Sequence, residues 1–136
     1  MITNADAQAF LDQNFAAWVL ALSPRVTACS TSGLTLDIPI TDDIARVGGI
    51  VSGQALATLA DTAMVLAAGA HLGRMMPVAT VTLDTQFLRP GSGESVRAEA
   101  EIIRAGRSMI FARCTLSALP AAKPIAHATA TFALPG

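Results

Sequence analysis

The sequence predicts an α+β domain in which one antiparallel sheet packs against a single long apolar helix. Three observations carry the prediction. Residues 55–72 form a helix-length run whose apolar side chains fall on every face, as in a helix buried all round. Four strand-like runs follow, near residues 78–88, 95–104, 108–117 and 124–134. They are sequential and joined by short turns, which favours antiparallel ladders. At 136 residues the chain fits one domain, spanning residues 1–136 and long enough to bury a single core.

An extra helix opens the chain over about residues 4–22, where Phe10, Leu11, Phe15, Ala16, Trp18, Val19 and Leu22 recur at three- and four-residue spacings. Ser23-Pro24 stops it. Residues 25–30 and 34–40 are strand-like runs around the turn Thr31-Ser32-Gly33, and in the second Leu34, Leu36 and Ile38 alternate with Thr35 and Asp37. Residues 41–51 are a loop containing Gly48-Gly49. Ser52 is placed to cap the long helix, its hydroxyl accepting from a free N–H of the first turn. Gly73 ends that helix and Pro77 forbids continuation. In the run 95–104, Val96, Ala98, Ala100 and Ile102 face one way and Arg97, Glu99 and Glu101 the other. Ala105-Gly106-Arg107 is a tight connection, and Leu119-Pro120-Ala121-Ala122-Lys123-Pro124 a longer one.

The composition is oily for a domain of this size: 52% hydrophobic and 14% charged residues, with a mean hydropathy of +0.52. One small core cannot hide so much apolar surface, so interfaces between copies are expected to take up the excess. A membrane span is the rival explanation, but the oily helix carries Thr58, Asp61, Thr62 and His71, which suit hydrocarbon poorly. The first 21 residues contain Asp6 and Asp12 and no basic residue, unlike a signal peptide, so a cytoplasmic protein is expected. A net charge of −1 without a basic run disfavours nucleic acid as a partner. Cys29 and Cys114 read as buried free thiols, and no Cys or His spacing suggests a metal site.

Asp61 is the discordant residue of the long helix. Its neighbours one turn away are Ala57, Thr58, Met64 and Val65, so no cation on the helix pairs with it. Either it is a structural acid, met by an arginine from the sheet or across an interface, or it is a reactive carboxylate whose pKa burial raises. Gly53 lies in the first turn, where N–H groups lack intrahelical partners and a glycine lets a ligand carbonyl approach; a tight loop-to-helix turn is the plainer reading. The two are eight residues apart, roughly 12 Å at ~1.5 Å per residue. They cannot both reach one reacting atom within one chain, so joint action requires two antiparallel helices of a dimer.

The runs Gly48-Gly49-Ile50-Val51-Ser52-Gly53-Gln54 and Ala57-Thr58-Leu59-Ala60-Asp61-Thr62-Ala63 resemble the PaaI-like (phenylacetate-pathway) hotdog-fold acyl-CoA thioesterases. Ala79-Thr80-Val81-Thr82, Phe87-Leu88-Arg89-Pro90 and Arg104-Ala105-Gly106-Arg107 extend the resemblance over residues 25–134. It implies a hotdog fold, with the sheet wrapped around the long helix, and homodimers that often pair into tetramers. It also implies hydrolysis of acyl-CoA to free acid and CoA with no metal or other cofactor. By the same resemblance Asp61 is the general base or nucleophile, the Gly53 N–H of the partner subunit polarises the thioester carbonyl, and Thr80 helps hold the attacking water.

Two departures stand out. The usual His-Gly-Gly at the helix start is Ser52-Gly53-Gln54, and the Asn six residues before that His is Arg46. A branch of the family carries a similar Gly-Gly-x-Val-Ser-Gly pattern. Ser52, Gln54 and Arg46 are therefore read as substrate-binding positions, with Arg46 also able to pair with Asp61 across the interface. Arg89 and Arg107, at strand ends, are placed to hold CoA phosphates or simply to face solvent. A non-catalytic acyl-CoA binding or sensing protein on the same scaffold is the alternative. A hydratase needs a His beside an acid in the site, and neither His71 nor His127 is positioned for that. The acyl pocket is expected where the N-terminal helix meets the surroundings of Met64, Val65 and Phe87.

Overall fold

The computed structural model describes residues 1–136. Two short helices, α1 (Asn4–Asn14) and α2 (Ala17–Leu20), precede strands β1 (Arg25–Cys29) and β2 (Gly33–Pro39). A two-residue ladder, β3 (Ala45–Arg46) with β4 (Ile50–Val51), leads into the long helix α3 (Gly53–Leu72). Strands β5 (Ala79–Phe87), β6 (Ser95–Ala105), β7 (Met109–Leu119) and β8 (Lys123–Ala133) complete the chain. Six strands form one antiparallel sheet in the order β1-β2-β6-β7-β8-β5.

The sheet curls around α3, which packs against β2, β6, β7 and β8 and touches β5. Strand alternation supplies one face of the core: Leu34, Leu36 and Ile38 from β2, and Ile110, Ala112, Cys114 and Leu116 from β7, are all buried. Alanines are frequent on both sides of this contact, with Ala98, Ala100, Ala126, Ala128 and Ala130 on the sheet and Ala60, Ala63 and Ala67 on the helix. Small facing side chains let a helix lie close to a curved sheet without voids. By length and composition α3 is apolar enough to cross a membrane, yet 67% of its apolar window is buried inside the fold. It is the core helix.

Both ends of α3 follow from local chemistry. The Ser52 hydroxyl accepts from the Ala55 N–H (3.2 Å), and Gly73 turns the chain at φ 74°, a left-handed conformation that favours glycine. At the opposite face of the sheet the alternation turns polar: Asp37 pairs with Arg97 across β2 and β6, and Glu101 with Arg113 across β6 and β7.

The expected N-terminal helix over residues 4–22 is interrupted. A capping box between Thr3 and Asp6 starts α1, and at its end the Asn14 amide donates to the Phe10 carbonyl. Phe15 is extended (φ −88°, ψ 154°) and rests edge-on against Phe10, so α2 is a separate turn. The loop 41–51 differs from expectation in containing the β3–β4 ladder. Cys114 is buried, and burial pushes its thiol up to about 12; Cys29 is free but only partly buried.

The two edges of the sheet are treated differently. Along β1 the Gln8 side chain of α1 bridges backbone groups, accepting from the Val26 N–H (2.8 Å) and donating to the Pro24 carbonyl (3.1 Å). Along β5 the outer edge is bare, and Val81, Leu83 and Phe87 stand 37–56% exposed there.

Leu59 is 1% exposed at the helix–sheet contact. Leu59→Ala is expected to cost about 2–5 kcal/mol, read as a lower denaturant midpoint at unchanged slope. A loss under about 1 kcal/mol would refute this packing.

Candidate active site

Asp61 projects from the middle of α3 and is partly buried. In a helix each side chain leans towards the N-terminus, so its carboxylate lies over the turn formed by Ala57 and Thr58. It lines a cavity of about 210 Å³ there. The sheet contributes a single polar contact: the Thr80 hydroxyl on β5 donates to Asp61 Oδ1 at 3.0 Å. Thr80 faces the helix because it stands opposite the buried Phe132 of β8.

No cation meets Asp61 within the chain. The two side-chain ion pairs, Arg97–Asp37 and Arg113–Glu101, both lie on the other face of the sheet. Burial therefore dominates, raising the Asp61 pKa above its ordinary value, while the Thr80 hydrogen bond partly opposes the shift. The geometry is that of a carboxylate held ready to accept a proton, with one oxygen fixed by a hydroxyl.

Gly53 lies in a second cavity, of about 380 Å³, at the helix N-terminus. Its N–H has no acceptor in the chain, and a Cβ at this position would sit 3.2 Å from the Phe87 ring. The same cavity is lined by Arg46 from β3 and by Arg89, just beyond β5. Arg89 Nη1 donates to the Pro124 carbonyl at 2.6 Å, whereas Arg46 is exposed and forms no side-chain hydrogen bond. Free N–H groups, the positive end of a helix and two guanidinium groups make this cavity suited to an oxyanion or phosphate.

The structure thus sorts the sequence-predicted residues into two groups. Gly53, Arg46 and Arg89 share one cavity; Asp61 lines another and is joined by its hydrogen bond to Thr80. Ser52 is occupied as the helix cap, and Gln54 is exposed, with its carbonyl accepting from the Thr58 hydroxyl. Arg107 belongs to neither group, and lines a third cavity with Arg74 near the C-terminal end of α3. His71 approaches the Thr31 carbonyl through Nδ1 (2.7 Å), and His127 is exposed on β8, so neither stands beside Asp61.

One expectation requires correction. Met64 and Val65 are buried in the core and do not shape the Asp61 cavity, because that cavity lies towards the N-terminal turn of the helix. Its outer wall comes from Phe15, Trp18 and Val19. The N-terminal segment was expected beside this pocket, but no spacing singled out these three residues, and 43 positions separate Trp18 from Asp61.

Compared with known proteins, residues 48–124 match a family model described as the thioesterase superfamily. The chain belongs to the thioesterase superfamily. The match runs from Gly48 to Pro124 and takes in Gly53, Asp61, Thr80 and Arg89, with Arg46 two residues before its start. Solved structures agree in fold. A candidate thioesterase from a Silicibacter species superposes with a TM-score of 0.88 at 23% identity, covering 100% of this chain and 94% of that one. Zebra fish thioesterase superfamily member 2 gives 0.84 at 21% identity, with 99% and 100% covered. A Haemophilus influenzae thioesterase gives 0.85 at 19% identity, with 98% and 90% covered. No curated protein matches the chain. The sheet wrapped around α3 is the hotdog fold of this superfamily, and thioester hydrolysis is the chemistry for which the superfamily is named.

The raised pKa of Asp61 has a consequence for stability. The folded state holds the proton more tightly than the unfolded chain, whose value is near 3.8, so stability is lost as pH rises through the folded-state pKa. Asp61→Asn is neutral throughout and keeps an acceptor for Thr80. It is expected to melt above the wild type at pH 7, with the gap closing below pH 3.8 in thermal unfolding followed by circular dichroism. An equal or lower Tm at pH 7 would show that burial does not strain this carboxylate.

Proposed function

We propose that the protein hydrolyses acyl-CoA thioesters to the free acid and CoA, in the manner of the PaaI-like branch. The observation that carries this reading is Asp61: partly buried, unpaired by any cation, and hydrogen-bonded to Thr80. Asp61 takes a proton from the water that attacks the carbonyl, or attacks the carbonyl itself to form an anhydride that water then cleaves, and Thr80 helps hold the water. The tetrahedral oxyanion is met by the Gly53 N–H at the start of α3, and collapse expels the CoA thiolate. Arg46 and Arg89, which line the Gly53 cavity, suit the phosphates of CoA. Ser52 acts here by fixing the first turn of α3, so that the Gly53 N–H keeps its direction.

The site is shared between two chains. Gly53 and Asp61 line different cavities of one protomer, as their eight-residue separation along α3 requires. The bare β5 edge supports a partner there: a second β5 would continue the ladder and cover Val81. Two such strands related by a two-fold axis run antiparallel and bring the two α3 helices side by side. A dimer of such dimers would account for further apolar surface, such as Ile103 and Phe111.

In an assay of free thiol released from a panel of acyl-CoAs, Asp61→Ala is expected to lose at least ~100-fold in kcat/KM. Wild type and Asp61→Ala hydrolysing every thioester at the same background rate would leave only binding or sensing.

Gly53→Pro tests the partner's role. It removes the N–H at the first helical position, where proline is tolerated, and Ser52 already has the extended backbone (φ −66°, ψ 147°) that proline requires of its predecessor. Alone it is expected to fold and to lose about 10²–10³ in kcat. Mixed dimers of Asp61→Ala with Gly53→Pro contain one intact site, and are expected to regain up to half of the wild-type rate. Failure of this complementation in purified mixed dimers would rule out a shared site.

A further inference from the structure

The cavity beside Asp61 has a composition that the chemistry of hydrolysis does not require. Its outer wall is aromatic and aliphatic, from Phe15, Trp18 and Val19, and its floor is Ala57 on α3 with Leu83 on β5. Two threonines also line it, but their hydroxyls are already engaged. Thr58 donates to the Gln54 carbonyl and Thr62 to the Thr58 carbonyl, each at 2.8 Å. Their donors are thus used within α3, and Asp61 is left as the one charged side chain there. A ligand filling this space therefore meets a carboxylate at one end and apolar surface along the rest.

Trp18 is the anomaly on this wall. It is 64% exposed, although tryptophan carries the largest apolar surface of any side chain. Its position depends on the interruption between α1 and α2: Phe15 turns away against Phe10, and the next turn of helix sets Trp18 over α3. An aromatic ring exposed beside a reactive carboxylate is placed to pack on a substrate.

Volume limits what that substrate can be. An apolar cavity of about 150 Å³ holds a benzene molecule, and a further ~30 Å³ is the share of one water-sized group. The 210 Å³ here thus accommodates a ring with about two more carbons, or a chain of about seven. A long-chain fatty acyl group overfills this space and would run past Trp18 into solvent.

We propose that this cavity is the acyl subsite and that Trp18 is the specificity-determining wall, favouring compact apolar acyl groups over long chains. The proposal rests on the reading of Asp61 as the reacting carboxylate. It places the thioester carbonyl at Asp61, the acyl group under Trp18, and the CoA portion outside, towards the arginine-lined cavity.

Trp18 supplies its own probe, being the sole tryptophan in a chain with no tyrosine. In the Asp61→Asn variant, which holds its ligand uncleaved, hexanoyl-CoA and phenylacetyl-CoA are expected to shift or quench the emission saturably. CoA alone should leave it unchanged. In turnover, Trp18→Ala is expected to raise the ratio of kcat/KM for palmitoyl-CoA over hexanoyl-CoA at least tenfold, and Trp18→Phe to restore most of the wild-type preference. Three results would overturn the proposal: emission unmoved while calorimetry shows hexanoyl-CoA bound, no binding of any compact acyl-CoA, or a Trp18→Ala loss equal for every chain length. A Trp18→Ala protein that elutes as a monomer would also overturn it, by showing that the ring serves the interface. The catalytic reading fails separately. A wild type that hydrolyses no thioester, yet whose Trp18 emission tracks hexanoyl-CoA, retains the subsite and loses the enzyme.

Discussion

A helix that is apolar on every face has to be enclosed, and one sheet cannot enclose it completely. The rest of this structure depends on that constraint. Four strands and α1 cover most of α3, while β5 reaches it only at the end of the curl. Asp61 stands at this incomplete flank, which explains how a carboxylate survives on such a helix. It is dry enough for its pKa to rise and open enough to meet a ligand. Deeper burial would demand a cation, and a cation would lower the pKa again.

The separation of charge along α3 serves the same end. The guanidinium groups of Arg46 and Arg89 gather at the helix N-terminus, where Gly53 lies, and leave Asp61 free of ion pairing. Opposite charges in one cavity would lower the carboxylate pKa and neutralise the anion-binding end. Spacing them along a rigid rod keeps both functions intact. A second rod running the other way could then bring the unlike ends together without fusing them within either chain.

Much of the fold was legible because its signals are local. Ser52 and Gly73 bracket α3, and period-two alternation marks β2 and β6. Asp61 and Gly53 were legible as departures from their surroundings. What the sequence hid depends on contacts between distant segments. The break at Phe15 follows from its packing against Phe10 and from an amide cap, neither of which disturbs the helical spacing of the apolar residues. The β3–β4 ladder is two residues long, too short for any alternation. Met64 and Val65 were expected around the pocket together with the N-terminal helix; only the N-terminal residues line it, because the tilt of helical side chains sends the Asp61 carboxylate towards Ala57 and those aromatics. A neighbour in sequence is not the same as a neighbour under the same tilt.

The unequal edges of the sheet carry a last consequence. One is clipped by a single amide, Gln8, standing in for a strand by offering an acceptor to Val26 and a donor to Pro24. The other is left as unpaired backbone. A protomer with one open edge can pair edge to edge only once, since that contact uses the open edge. Unclip the first edge and the same protomer has two ends, and a unit with two ends forms chains without limit. Seen this way, Gln8 is a terminator of strand pairing at β1, a side chain remote from Asp61 that stands where a further strand would dock.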